Sequence, residues 1–219
     1  MRYKCLVLDH DDTIVNSTAT IHYPSFCAFL AQVRPQHRHY TLNEYFEKNF
    51  EPGIIPFFTG EIGLSDKELD DEFHFWQAFV KPRVPQAFAG IREILARHRA
   101  QGGLIAVVSH SVRDAILRDY EKNDLSIPDA IYGWELPPAQ RKPNVWPLEE
   151  IMRRFSLRPE ELLMLDDLKP GFDMARAAGV AFAAAGWAYD VPKIEQFMRQ
   201  QCDYYFKTVA QLAEFLQEA

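Results

Sequence analysis

The chain has 219 residues, of which 47% are hydrophobic and 25% charged, with 10 Gly, 14 Pro and 3 Cys. This composition excludes a disordered, a collagen-like and a disulfide-rich protein, and the length suits one domain with or without a sizeable insertion. The formal net charge of −7 would on average repel a nucleic acid or an anionic membrane, so we expect neither as a partner. The apolar run before Asp9 is too short for a signal peptide, and no apolar run in the sequence reaches about 18 residues. We therefore expect a soluble, cytoplasmic protein.

Six short apolar runs predict β-strands. They cover residues 4–8, 104–108, 130–132, 162–165, 180–185 and 204–206, the last as a short edge strand. The clearest are the three that end before Asp9, Ser109 and Asp166. A buried parallel strand is apolar throughout and can deliver a functional group at its carboxyl end.

Stretches with helical periodicity separate these runs. They cover residues 88–100, 112–120, 146–155, 174–178, 194–198 and 209–216. The alternation predicts an α/β fold, a doubly wound, Rossmann-like parallel sheet. Ligands of such sheets bind outside the carboxyl ends of the strands, where Asp9, Ser109 and Asp166 would converge.

The stretch 16–85 breaks the alternation and is predicted to be helical. Helices are expected at 23–33, at 42–50 and from a capping box that starts at Ser65 to Val80. The stretch is rich in aromatic residues, most of which we expect in its own core: Phe46, Phe50, Phe57, Phe58, Phe73, Phe75, Trp76 and Phe79. The predicted organisation is an α/β core, 1–15 and 86–219, with a small α-helical domain, 16–85, inserted after the first strand.

The chain leaves the first strand through Asp9-His10-Asp11-Asp12-Thr13. Carboxylates at positions i and i+2 can face one crevice while the backbone N–H groups between them point at a bound anion. One of them, Asp9, can then act as a nucleophile and the other, Asp11, as a proton donor. Taken alone, the pattern is equally typical of a solvated acidic turn.

Two later sites suit the binding of a phosphate. Ser109, with His110 and Ser111, opens a helix whose N–H groups and hydroxyls can hold phosphate oxygens. Lys142 offers a fixed cation for the phosphate and for the crowded carboxylates. In isolation Ser109 would be a helix cap and Lys142 an exposed residue, so it is their order along the chain that favours a site.

An acidic pair, Asp166-Asp167, follows the strand predicted at 162–165. Carboxylates are hard oxygen ligands suited to Mg²⁺, which takes few of them and keeps several waters. A bound cation would also offset the repulsion between the two neighbouring charges. We therefore expect a Mg²⁺ site here.

These motifs, in this order, resemble the haloacid dehalogenase superfamily of aspartate-nucleophile phosphotransferases. The residues that carry the resemblance are Leu-Asp9-His-Asp11-Asp-Thr13, Val-Val-Ser109, Lys142-Pro143 and Leu-Asp166-Asp167, followed by Met-Ala-Arg-Ala-Ala-Gly179. The helical insert looks like the cap of the phosphoglycolate phosphatase and β-phosphoglucomutase branch. The resemblance implies a Mg²⁺-dependent phosphatase of a small phosphorylated metabolite, as a monomer or a weak homodimer.

The resemblance also implies roles for individual residues. Asp9 would be the nucleophile and Asp11 the general acid/base, with Thr13 as a support for their loop. Ser109 and Lys142 would hold the phosphate, and His10 and His110 are further candidates for phosphate contact.

For the metal, the resemblance implies Asp167 as the principal ligand beside Asp9 and Asp11, with Asp166 as a ligand or a neighbour of one. A halide leaving group needs no proton, so the presence of Asp11 favours phosphate esters over a dehalogenase substrate.

Four positions depart from the family pattern. Asp12 stands where most relatives have Gly, so we expect its side chain to turn to solvent or to cap the next helix. Asp166 stands where many relatives have Gly, and Gly171 where many have an Asp; Asp173, two residues later, is left open as a substitute. His10 stands at a commonly apolar position, either near the substrate or as a buried structural residue.

Other functions remain open at this point. A phosphomutase would use the same residues, a phosphonate hydrolase would need a lysine such as Lys48 near the nucleophile, and the changes at Asp12 and Gly171 allow a silent metabolite-binding protein. Substrate contacts are expected from the cap, where the polar candidates are equally consistent with a solvated surface: His22, Tyr23, Arg34, His37, Arg38, His39 and Lys48.

Overall fold

The computed structural model describes residues 2–218, and its centre is a six-stranded sheet. Across the sheet the strands are β5 (Ala130–Tyr132), β4 (Leu104–Val108), β1 (Cys5–Leu8), β6 (Leu162–Asp166), β7 (Ala181–Ala185) and β8 (Tyr204–Phe206). Every neighbouring pair is parallel. The predicted α/β sheet is confirmed, and each of the six predicted strands lies within one residue of its expected bounds.

The strand order reverses next to β1, and the register aligns the strand ends there. Leu8 pairs with Val107 of β4 and with Leu165 of β6, and the Asp9 amide donates to the Leu165 carbonyl at 2.8 Å. The chain therefore leaves three central strands at nearly the same level. This reversal of strand order is where open α/β sheets form a crevice for ligands.

Helices cover both faces of the sheet. In chain order they are α5 (Ile91–Ala100), α6 (Arg113–Lys122), α7 (Trp146–Phe155), α8 (Lys169–Ala178), α9 (Pro192–Gln201) and α10 (Val209–Glu218). Successive strand residues point to opposite faces, so Leu6 and Leu8 pack with α5, α6 and α10, whereas Cys5 and Val7 pack with α7, α8 and α9. This burial on both faces explains the unbroken apolar runs.

Helix α8 starts at Lys169, five residues before the predicted start at 174. The prediction began too late because Pro170 and Gly171 are typical of a turn. Proline is compatible with the first turn of a helix, where its missing N–H has no partner to lose. Among residues 2–218, no helix is both long enough and apolar enough to cross a membrane.

The insert contains four helices and two π-helical turns. In chain order they are a π-helical turn (Thr18–His22), α1 (Tyr23–Val33), α2 (Leu42–Phe50), the single turn α3 (Ile54–Pro56), a second π-helical turn (Phe57–Glu61) and α4 (Asp66–Val80). Reciprocal capping boxes begin α2, at Thr41 and Glu44, and α4, at Ser65 and Glu68. The chain enters and leaves the insert through an antiparallel ribbon of β2 (Val15–Asn16) and β3 (Gln86–Ala87).

The insert has a core of its own, in which Phe26, Phe57 and Phe58 stack together. Two of its phenylalanines pack elsewhere. The ring centre of Phe46 lies 4.0 Å from that of Tyr189, and that of Phe50 lies 5.2 Å from that of Phe197. These contacts hold α2 against the α/β core, above the carboxyl ends of the strands.

Candidate active site

Lys142 joins two carboxylates at the end of the central strands. Its Nζ donates to Asp9 Oδ1 and to Asp166 Oδ2, each at 2.8 Å, and all three side chains are at most 6% exposed. Burial alone would lower the pKa of Lys142, but the two carboxylates raise it above its ordinary value. The lysine therefore stays charged and fixes the orientation of Asp9.

Asp9, Asp166 and Asp167 can each turn one carboxylate oxygen to a common point, with these oxygens within 4.8 Å of one another. Burial raises the pKa of Asp9 to about 7 despite Lys142, and burial together with Asp166 raises that of Asp167 well above its usual range. Asp167 Oδ2 is buried without a hydrogen-bond partner. An orphaned carboxylate oxygen among crowded acids is the donor set that a hard cation such as Mg²⁺ takes, so these residues fit the predicted metal.

The glycine at position 171, where many relatives have an Asp, has a steric explanation. A Cβ at this position would lie 2.0 Å from Asp166 Oδ2, and the Asp166 carboxylate is held by Lys142 and by the Leu168 amide, at 2.8 Å each. The Asp166 carboxylate thus fills the space into which a side chain at 171 would project. Asp173 pairs instead with Lys169 at 2.8 Å and is 44% exposed, so the structure places it outside the acidic cluster.

Asp11 lies beside Asp9, with hydrogen bonds to both carboxylate oxygens. Oδ1 accepts from Ser17 Oγ at 2.7 Å and contacts His22 Nε2 at 2.8 Å, while Oδ2 accepts from Ser111 Oγ at 2.6 Å. Burial pushes the pKa of Asp11 upward, but these partners, His22 above all, hold it well below its usual range. Asp11 is therefore ionised in this arrangement.

The state of His22 follows from its second partner. Trp76 Nε1 lies 2.9 Å from His22 Nδ1, and the rings stack with centres 5.9 Å apart. An indole N–H can only donate, so the neutral form that accepts from Trp76 at Nδ1 has its hydrogen on Nε2, which donates to Asp11. Burial lowers the pKa of His22, but the Asp11 carboxylate raises it above its ordinary value, and the charged ring also donates to Asp11 from Nε2. This chain of hydrogen bonds connects α4 of the insert to Asp11.

Asp12 and Thr13 support the loop. Asp12 has a φ of 57° and is 2% exposed, and its Oδ1 accepts from the Thr18 amide at 3.3 Å. It therefore caps the first turn of the insert and does not face solvent; the left-handed backbone explains why glycine is common there. Thr13 Oγ1 donates to Asp167 Oδ1 at 3.3 Å, and Trp187 Nε1 donates to the Thr13 carbonyl at 3.2 Å.

Ser109 and His110 line the same cavity as Asp9 and Asp11. The Ser109 hydroxyl accepts from the Ser111 amide at 3.1 Å, so it shapes the turn before α6. His110 Nε2 lies 2.9 Å from the Lys142 carbonyl. Burial and the Lys142 charge lower the pKa of His110 to about 4, so its imidazole is neutral near pH 7.

The structure does not bring His10 to this cavity. Its Nε2 lies 3.1 Å from Asp119 Oδ2, its ring stacks on Tyr120 with centres 5.9 Å apart, and it is 1% exposed. Asp119 also pairs with Arg118 at 2.7 Å. Of the two interpretations left open by the sequence, the geometry supports the buried structural residue, and the expected phosphate contact is not seen.

A cavity of about 150 Å³ lies between the strand ends and the insert. Of the seven polar cap residues proposed as substrate contacts, only His22 lines it. The others are engaged or exposed: Tyr23 with the Tyr40 carbonyl, Arg34 with Glu68, Arg38 with Glu44, Lys48 with Glu61, His37 stacked on Tyr40, and His39 at the surface. Among residues 2–218, Lys142 is the only lysine that lines the cavity, which gives no support to the lysine chemistry of a phosphonate hydrolase.

Parts of the lining depart from the sequence-based expectation. Phe46, Phe58, Phe73 and Trp76, expected in the core of the insert, line the cavity, and lining residues such as Glu72 and Trp134 were not singled out as site residues. A signal was present on α4, because positions 72, 73 and 76 lie on one face of a helix. Only the packing of the insert shows that this face is turned to the site.

Comparisons with known proteins agree with this geometry. The model of the family described as haloacid dehalogenase-like hydrolase matches residues 6–185. The phosphoglycolate phosphatase of Haemophilus influenzae is 25% identical over 155 residues, which cover 68% of this chain and 66% of that protein, just under two thirds of its length.

Solved structures share the fold. A haloacid dehalogenase-like hydrolase from Bacteroides fragilis superimposes with a TM-score of 0.79, with 22% identity over 96% of this chain and 99% of the other. CbbY from Rhodobacter sphaeroides, in complex with phosphate, gives a TM-score of 0.69 with 17% identity over 96% of both chains. With 180 of its 219 residues inside the family match, the chain belongs to the haloacid dehalogenase-like hydrolases.

Proposed function

We propose that the protein is a Mg²⁺-dependent phosphatase that hydrolyses a small phosphorylated metabolite through an aspartyl-phosphate. The observation that carries this proposal is the arrangement of Asp9: its carboxylate is held by Lys142, stands beside the orphaned oxygen of Asp167 and faces the cavity together with Asp11. The phosphatase activity of the Haemophilus influenzae relative and the phosphate bound to CbbY support the same chemistry.

Asp9, Asp166 and Asp167 would hold the Mg²⁺, and the ion would supply positive charge to the phosphoryl oxygens. Lys142 also supplies positive charge, and its hydrogen bond to Asp9 orients that carboxylate and favours its ionised form. In the first step an Asp9 oxygen attacks phosphorus and the bond from phosphorus to the ester oxygen breaks. The departing alkoxide takes a proton from Asp11.

Asp11 is ionised in the present arrangement, so it must first gain that proton. A phosphate monoester can bring it, because the second pKa of such a group is about 6 and its monoanion is present near neutral pH. In the second step Asp11, again ionised, takes a proton from water, which attacks the phosphorus and releases inorganic phosphate and Asp9. His22 and Ser111 hold Asp11 in place for both transfers.

The test is phosphate release from a panel of small phosphate monoesters, assayed with Mg²⁺ and with EDTA. The proposal predicts metal-dependent release by the wild-type protein and none by Asp9→Asn. Arg38→Ala, at an exposed ion pair of the insert, is a matched control that should behave as wild type. Release that persists in Asp9→Asn, or that EDTA does not affect, would contradict it, and an isomerised phosphate ester without free phosphate would show a mutase.

A further inference from the structure

One part of the cavity wall consists of three aromatic residues and one acid. Glu72, Phe73 and Trp76 come from one face of α4, and Trp134 comes from the loop after β5. The ring centre of Phe73 lies 5.9 Å from that of Trp76 and 6.4 Å from that of Trp134. The leaving group of a substrate whose phosphate sits at Asp9 would therefore meet these three rings and the Glu72 carboxylate.

Glu72 is half-buried and unengaged. Within residues 2–218 neither a hydrogen bond nor an ion pair reaches its carboxylate, and burial raises its pKa to about 7, offset only in part by His22. Three other acids of the insert do have ion-pair partners: Glu68 pairs with Arg34, Glu44 with Arg38, and Glu61 with Lys48. A carboxylate kept without a partner at the edge of a cavity gains most from a ligand that carries a positive charge.

The cations near this wall do not serve Glu72. Lys142 is bound to its two aspartates, His22 is hydrogen-bonded to Asp11, and the imidazole of His110 is neutral near pH 7; within residues 2–218 no arginine lines this cavity. Arg141 lies with its guanidinium 4.4 Å from the Trp134 ring centre and lines an adjoining cavity of about 490 Å³, which Glu72, Phe73 and Trp134 line as well. In the smaller cavity a leaving group with a carboxylate, such as that of phosphoglycolate, would thus meet the Glu72 carboxylate and aromatic rings.

Resting on the proposed phosphatase function, we propose that the substrate is the phosphate ester of a small amino alcohol, whose ammonium group binds between Glu72 and the rings of Phe73, Trp76 and Trp134. Aromatic faces attract cations, ammonium groups above all where several rings surround them, and the carboxylate supplies the countercharge. The cavity of about 150 Å³ suits a compact alcohol, because a cavity of about this volume takes benzene.

The test compares pairs of esters that have the same shape and differ in charge. Phosphocholine is paired with 3,3-dimethylbutyl phosphate, and phosphoethanolamine with propyl phosphate; phosphoglycolate is the acidic comparison. For at least one pair we expect kcat/KM of the ammonium ester to exceed that of its neutral partner by about tenfold or more, which is about 1.4 kcal/mol. Phosphoglycolate should be the poorest of the five.

Glu72→Gln tests the carboxylate directly. It should lower the ratio of kcat/KM between the ammonium ester and its neutral partner about tenfold, whereas Asp71→Asn, the exposed neighbour on the same helix, should leave the ratio as in the wild type. The wild-type ratio stands on its own if Glu72→Gln does not fold, as checked by circular dichroism. An unchanged ratio in folded Glu72→Gln refutes the role of Glu72.

p-Nitrophenyl phosphate separates the two proposals. If this ester and the neutral esters are hydrolysed with Mg²⁺ and the ammonium esters are not preferred, the substrate class is wrong and the phosphatase stands. If no phosphate ester is hydrolysed by folded protein with Mg²⁺, both proposals fail.

Discussion

Replacing Gly171 by alanine should destabilise this protein, although removing a glycine from a helix usually does the opposite. Gly171 lies in the first turn of α8, and a Cβ there would stand 2.0 Å from Asp166 Oδ2 and 2.7 Å from Asp166 Cβ. Asp166 is 0% exposed and its carboxylate is bound to Lys142 and to the Leu168 amide, so it has no free direction in which to move.

Two opposing effects set the magnitude. Alanine in place of glycine inside a helix gains about 1 kcal/mol. Inserting an atom into a closely packed site costs about 1–3 kcal/mol. Because the Asp166 carboxylate is held by two hydrogen bonds, we expect a steric cost at the upper end of this range, about 3 kcal/mol. The net loss in the free energy of unfolding is then about 2 kcal/mol, or about 4–8 °C in Tm for a chain of this length.

The assay is urea unfolding of a double-mutant cycle with Asp166→Gly. Once the Asp166 side chain is gone, Gly171→Ala should stabilise the protein by about 1 kcal/mol, which gives a coupling free energy of about 3 kcal/mol between the two positions. Gly60→Ala is the matched control, because a Cβ there meets nothing within 4 Å and should leave stability near the wild-type value or above it.

The steric explanation is wrong if Gly171→Ala is as stable as Gly60→Ala, or if its effect is the same with and without the Asp166 side chain. Activity gives a second measure. A displaced Asp166 carboxylate also displaces Lys142 from Asp9, so Gly171→Ala should lower kcat as well as stability.

Three further predictions concern the site. Asp9→Asn should abolish turnover while its circular dichroism and Tm stay close to wild type, since the change removes one charge from a crowded acidic cluster; residual Mg²⁺-dependent turnover would argue against a nucleophilic role. Saturating Mg²⁺, at about 100 times its Kd, should raise the free energy of unfolding by about 2.7 kcal/mol and Tm by about 5–10 °C, and a similar rise in Asp167→Asn would show that the ion binds elsewhere. His22→Ala should lower kcat about tenfold or more, because a hydrogen bond to a charged group contributes about 1.5–3 kcal/mol. Trp76→Phe should lower kcat less, because it removes only the hydrogen bond to His22. An unchanged kcat in both variants would refute the positioning of Asp11 by His22 and Trp76.

The α/β core could be predicted from the sequence because both faces of its sheet are buried. Each central strand is apolar from end to end and stops at a polar residue, so the strands and the places where Asp9, Ser109 and Asp166 emerge are visible in the chain itself. The start of α8 was missed because Pro170 and Gly171 are typical of both a turn and a helical first turn.

Parts of the site could not be predicted in this way. Whether His10 turns to the cavity or to Asp119 depends on the packing of α6, which is remote from it in sequence. The role of His22 depends on Trp76, 54 residues later, whose N–H fixes the tautomer that donates to Asp11. Local patterns contain no information on such pairs.

The sequence by itself determined the order of strands and helices along the chain, the helical insert and the residues that could carry phosphate chemistry, since these depend on apolar periodicity and on local motifs. Only the tertiary structure decided which carboxylates converge, why glycine stands at position 171, and that Glu72 faces the cavity without a partner. The physical reason is that these properties depend on distances and burial between segments far apart in the chain, which are set by packing and not by any one segment.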